Sequence, residues 1–306
     1  MFRNWFLTRH GELRTVWRIL LFLIATSLVL LPGLFFLSWT GLAGSELAQR
    51  ILFCSSVLVA GGFLTRFVNK KPFTAIGLYP GSRALRQGLL GCLLGFGMMA
   101  GIFLVELLAG FVTVQFRPLA ADALLLMLGT SAVMFFAAGA AEELLFRGYP
   151  FQSMMQGMTF LPAMLLVSVA FAAAHAGNPN ITILALGNIA LAGVWLSFAY
   201  LTTRALWLPI GLHFAWNFSQ TTLFGFPTSG VAVHSDSLLE LAQSGPEWVT
   251  GGMFGPEGGI LATIALAAGT WVIVKSPLFR KEEGIVTLDS VEDLLPPGDG
   301  RMGGEA

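Results

Sequence analysis

The feature that most constrains this chain is a succession of apolar runs long enough to cross a bilayer. A spanning helix needs about 20 consecutive, mostly apolar residues. Eight segments approach that length: 17–37, 51–68, 88–113, 120–143, 160–175, 181–202, 205–223 and 258–275. The first three and the last are strong; polar residues interrupt the middle four. Charged residues make up only 11% of the 306 residues, against roughly 25% in an ordinary soluble domain. That is too little charge to cover a water-facing surface, so most of the chain is expected to face lipid. The expected fold class is all-α, a polytopic membrane bundle of about eight transmembrane helices.

Charge along the chain predicts an orientation. Arg3, Arg9, Arg14 and Arg18 precede or open the first apolar run. A cleaved signal peptide would have a shorter core and a small-x-small site after it, so the run reads as a retained anchor. With the N-terminus inside, only Arg50 and Arg117 fall outside, leaving fifteen of the seventeen basic residues inside. This matches the positive-inside rule for an even number of spans, N-in and C-in. The expected organisation is a cytoplasmic segment 1–16, a transmembrane domain 17–276 and a disordered cytoplasmic tail 277–306. The outer loop 224–257 contains no Lys or Arg and carries Asp236, Glu240, Glu247 and Glu257. No internal repeat points to a transporter built from two related halves. A net charge of zero gives no reason to expect nucleic-acid binding. Cys54 and Cys92 sit in apolar runs and read as small buried hydrophobes, without disulfide or metal-site spacing.

The informative residues are those that do not belong in lipid. An ionised side chain at the centre of a spanning helix costs about 2.5–3.5 kcal/mol on insertion scales. Ala141-Glu142-Glu143-Leu144-Leu145-Phe146-Arg147 ends the fourth run. Neighbouring helical residues point about 100° apart, so the two glutamates face different surroundings. Glu143 and Arg147, at i and i+4, can pair, which frees Glu142 for something else. Phe171-Ala172-Ala173-Ala174-His175 ends the fifth run, and Phe171 and His175 share a face. His213 and Asn217 do the same in the seventh. Each cluster has a plain structural alternative: charges near headgroups, a packed histidine, an interhelical hydrogen bond. Glu106 is expected near the interface at the outer end of the third run, and Asn188 as helix–helix glue.

Taken together the clusters point to chemistry. Both histidines inside the apolar runs belong to them; His10 and His234 are elsewhere. A carboxylate beside a histidine can take a proton from water. A second histidine and an Asn amide can stabilise an oxyanion. Those are parts for hydrolysing a carbonyl compound such as a peptide. Neither His-Glu-x-x-His nor Gly-x-Ser-x-Gly occurs, and Asp122 stands alone at a run's edge, so the common zinc, serine and aspartyl patterns are missing.

The ordered set Glu142-Glu143-x-x-x-Arg147, Phe171-x-x-x-His175 and His213-x-x-x-Asn217 resembles the CPBP family. These are the CAAX proteases and bacteriocin-processing intramembrane proteins, also called ABI proteins or type II CAAX endopeptidases. Thr203–Ile210, leading into His213, is also similar. The resemblance covers about 120–220, the expected protease core. It implies an intramembrane endopeptidase whose site opens toward the cytoplasm. It also implies that Glu142 and His175 activate water, that His213 and Asn217 hold the oxyanion, and that Arg147 and Phe171 support them. Glu143 would support the site or act as a further catalytic group. No tightly bound cofactor is expected. The alternative is zinc or another divalent metal on Glu142, His175 and His213, with Glu143 as base. The expected partners are the bilayer and a membrane-associated protein or peptide substrate, in a bacterial inner membrane. The competing functions are a non-catalytic immunity or scaffold protein and, behind it, a transporter.

Overall fold

The computed structural model describes residues 3–8, 11–231, 237–280 and 287–288. His10, His234, Asp236 and most of the 277–306 tail lie outside the described residues. Each apolar run falls on a helix: α2 (Thr15–Trp39), α3 (Glu46–Phe67), α4 (Ser82–Leu108), α5 (Ala121–Phe146), α7 (Phe160–His175), α8 (Ile183–Thr203), α9 (Trp207–Phe218) and α11 (Ile260–Lys275). Short helices α1 (Arg3–Phe6), α6 (Tyr149–Gly157) and α10 (Glu247–Thr250) complete the set. Five stretches are long and apolar enough to cross a membrane: α2, α3, α4, α5 with α6, and α8. Both α7 and α11 have 16 residues. At 1.5 Å per residue each covers about 24 Å, short of the ~30 Å hydrocarbon core. Large apolar side chains such as Leu28, Phe35, Leu93 and Leu125 point outward, as expected of a bundle solvated by lipid.

Local sequence sets several boundaries. The Ser45 and Thr182 hydroxyls accept from Ala48 N and Ala185 N, at 3.3 and 3.0 Å, capping α3 and α8. Arg204 ends α8 in a left-handed conformation (φ 54°). Pro209 lies in the first turn of α9, where its missing N–H costs nothing. Beyond Phe218, α9 passes into a π-helical turn, Ser219–Leu223.

Small residues set the closest packing. A Cβ on Gly91 would lie 2.5 Å from the Leu208 carbonyl oxygen, and one on Gly95 2.5 Å from that of Leu212. These glycines let α4 lie directly against the backbone of α9. The N-terminal helix is part of the same core: Phe22 is buried and stacks on Tyr149.

The two ends of the bundle differ. At one, Thr15 Oγ1 donates to Ser153 O (3.1 Å) and Leu206 N to Gly77 O (2.9 Å). There Leu288 N also reaches Ala75 O and Gln152 Oε1, each at 3.2 Å. At the other, β1 (Val112–Phe116) pairs antiparallel with β2 (Leu239–Gln243), Val112 opposite Gln243. This ribbon corrects the expectation that the third run stays helical to residue 113 and that 224–257 is a plain loop. Gly110, at φ 71°, turns the chain out of the helix, and the alternating Val112-Thr113-Val114-Gln115-Phe116 then suits a strand. Glu106, near the end of α4, is completely buried within the bundle.

Candidate active site

The site lies where α5, α7 and α9 converge. Gly193 on α8 allows α7 to approach, since a Cβ there would meet Ser168 Cα at 2.7 Å. Gly139 on α5 does the same for α9, with its nearest neighbours Phe214 N and the His213 ring. His213 and His175 are thereby drawn toward the two glutamates.

Glu142 and Glu143 face different ways, as the helical rotation requires. Glu143 is fully buried, and its Oε1 accepts from Arg147 Nη1 at 3.1 Å and from His213 Nδ1 at 3.0 Å. Arg147, also fully buried, donates through Nη2 to Gly193 O at 3.0 Å, tying α5 to α8. Its guanidinium lies 4.6 Å from the centre of the Phe171 ring. Phe171 in turn packs against His175, with ring centres 4.8 Å apart. Arg147 and Phe171 thus form the bed on which both imidazoles rest.

Glu142 faces the cavity. Its Oε2 lies 3.8 Å from His175 Nε2 and 3.8 Å from His213 Nε2. His175 Nδ1 lies 2.8 Å from Phe171 O. A carbonyl can only accept, so a proton sits on Nδ1, and in the neutral ring the Nε2 lone pair turns toward Glu142. The Arg147-paired Glu143 carboxylate imposes the same arrangement on His213 Nδ1, leaving its Nε2 to the cavity as acceptor when neutral or donor when charged. The 3.8 Å separations are too long for direct hydrogen bonds and of a length that a shared water bridges.

The cavity, about 490 Å³, is lined by Glu142, His175, His213, Asn217 and Phe171 together with apolar residues including Phe135, Ala138 and Trp195. Asn217 stands one turn beyond His213, as expected. The polar lining also includes residues not expected at the site from the sequence, among them Asn178, Ser229 and Glu257. The Glu257 carboxylate accepts from Ser229 N and Oγ, both at 2.7 Å, and from Trp216 Nε1 at 3.2 Å. Asn178 Nδ2 donates to Ser229 O at 3.0 Å. Asn178 shares a helix-type spacing with His175 that was open to inspection; Glu257, at the far edge of a long polar segment, carried no such signal. Asn188 joins α8 to α11 and the turn before it, accepting from Thr263 Oγ1 at 2.6 Å and donating to Glu257 O and Gly259 O at 2.8 and 2.9 Å.

Two histidines and a carboxylate are suitable donors for a cation. Among the described residues, however, no group of three or more His, Cys, Asp or Glu is arranged to hold one.

Residues 123–219 match the family model described as type II CAAX prenyl endopeptidase Rce1-like. That segment contains every motif residue from Glu142 to Asn217, and over it the resemblance read from the three motifs holds. No curated protein and no solved structure matches the chain.

Proposed function

We propose that this protein is an intramembrane endopeptidase that hydrolyses a peptide bond in a membrane-associated substrate. The observation that carries the reading is the convergence of Glu142, His175 and His213 on one cavity inside an apolar bundle, with oppositely oriented Glu143 holding His213 from behind. Peptide hydrolysis needs a water stripped of a proton, a donor for the oxyanion and a proton for the leaving amine.

In this mechanism water lies between the Glu142 carboxylate and His175 Nε2. Glu142 takes its proton as the oxygen attacks the substrate carbonyl carbon. The oxyanion receives hydrogen bonds from His213, charged and donating through Nε2, and from the Asn217 amide. Collapse breaks the C–N bond, and the amine leaves with the proton held by Glu142. Glu143 and Arg147 are positioning residues: they fix the His213 tautomer and compensate its charge, while Phe171 sets the tilt of His175. None of these steps passes through a metal. All eight apolar helices cross the membrane in this reading, the shorter α7, α9 and α11 by local thinning of the bilayer, with both ends of the chain inside.

The test compares new N-termini in membranes carrying the wild-type protein or Glu142→Gln. Cleavage products present only with the wild type support the reading. Identical profiles, with the variant folded and equally abundant, overturn it.

A further inference from the structure

We propose that the cavity is served from the extracytoplasmic side, so that the substrate is a membrane-anchored or membrane-bound peptide segment exposed on that face. The substrate part rests on the endopeptidase reading; the orientation does not.

Two observations carry the proposal. The first is where the cavity ends. Its outer lining includes Glu46 and Arg50 at the start of α3, Asn178 just past α7, and Ser229 and Glu257. All of these stand at the β1–β2 end of the bundle. The α7 helix has 16 residues, and His175 is its last. The side chains of Glu142 and His175 keep 21% and 18% exposure. Toward the opposite end the way is shut. Beneath the glutamates lie Leu144, Arg147, Tyr149 and Phe151, none more than 2% exposed. Gln152 and Leu288 close the same region through their hydrogen bond.

The second observation is charge. Setting aside buried Arg147, twelve basic residues from Arg14 to Arg280 are described; ten stand at the closed end, Arg66, Lys70, Lys71, Arg204 and Lys275 among them, and only Arg50 and Arg117 at the open one. The open end bears Glu46, Asp122, Glu240, Glu247 and Glu257 instead. Basic residues close to membrane spans remain in the cytoplasm. The closed end is therefore cytoplasmic and the open end is not. An N-in orientation and a cytoplasmic opening, both expected from the sequence, are incompatible in this geometry.

The test uses the full chain with Cys54 and Cys92 replaced by Ala and one new cysteine, either Glu46→Cys beside the opening or Arg66→Cys at the closed end. Intact bacterial spheroplasts are treated with a membrane-impermeant sulfonated maleimide. Glu46→Cys is expected to label in intact spheroplasts, and Arg66→Cys only after permeabilisation. In parallel, new N-termini that depend on Glu142 are mapped in cells with the otherwise wild-type chain, and are expected in extracytoplasmic segments of membrane proteins. Reversed labelling overturns the proposal, as do Glu142-dependent termini confined to cytoplasmic segments. The expected labelling without any Glu142-dependent termini supports the orientation and overturns the endopeptidase reading instead.

Discussion

Glu142 and Glu143 are neighbours in sequence with opposite tasks. Glu143 is enclosed and spends one oxygen on Arg147 and His213; Glu142 stands at the cavity with no such commitment. Their substitutions should separate accordingly. Glu142→Gln keeps the shape and removes the base, so cleavage is expected to fall by about 10²–10⁴-fold, with the thermal unfolding midpoint in detergent unchanged. Arg147→Met leaves a buried carboxylate without its partner, and breaking such a pair costs about 3–5 kcal/mol. A lowered unfolding midpoint and lost cleavage are expected together, and a midpoint equal to wild type would show that Arg147 holds nothing. The water-activation route also makes a prediction about metal. Prolonged dialysis against a strong chelator is expected to leave turnover intact, whereas loss reversed by zinc would reinstate Glu142, His175 and His213 as ligands. The residue types and their helical phase were legible from the motifs, because i and i+4 spacing follows directly from 3.6 residues per turn. Asn178, Ser229 and Glu257 were not, because loop residues reach the cavity through contacts distant in sequence.

At the scale of elements, the site depends on how closely helices approach. Gly91 and Gly95 put α9 against α4, and Gly193 brings α7 to α8. A Gly91→Val side chain would collide with the Leu208 carbonyl and the Leu212 amide, with an expected cost of about 1–3 kcal/mol or more from overpacking. Because α9 carries His213 and Asn217, cleavage should drop as well, although no catalytic group is changed. Thermal unfolding and peptide-product formation, measured on one preparation, check both halves. Asn188→Ala removes a hydrogen-bonded clamp between α8 and the 257–259 turn. Interhelical hydrogen bonds of this kind are worth about 0.6–2 kcal/mol, so a smaller fall in the midpoint is expected. The helices themselves were readable from run length and hydropathy. The β1–β2 ribbon was not, since each strand is only five residues and gains its backbone partners from a segment more than a hundred residues away.

Across the whole molecule, stability at one end and chemistry at the other should be separable. Leu288 is buried in the core at the closed end, with its amide bonded to Gln152 and Ala75. Leu288→Ala is expected to cost about 2–5 kcal/mol and to lower the unfolding midpoint, with cleavage retained below that temperature because Leu288 does not line the cavity. A variant that stays as stable as wild type would remove Leu288 from the core's support. Hydropathy and charge are summed along the chain, one residue after another, so a lipid-solvated helical bundle and its basic end could be recognised without coordinates. The same holds for the candidate residues, since an ionisable group in an apolar run stands out wherever the run goes. Which glutamate is enclosed, which ring nitrogen faces the cavity and which end of the bundle is open are different matters. They depend on distances between helices that meet only after packing, and on glycine contacts and loop closures whose partners lie far apart in the sequence.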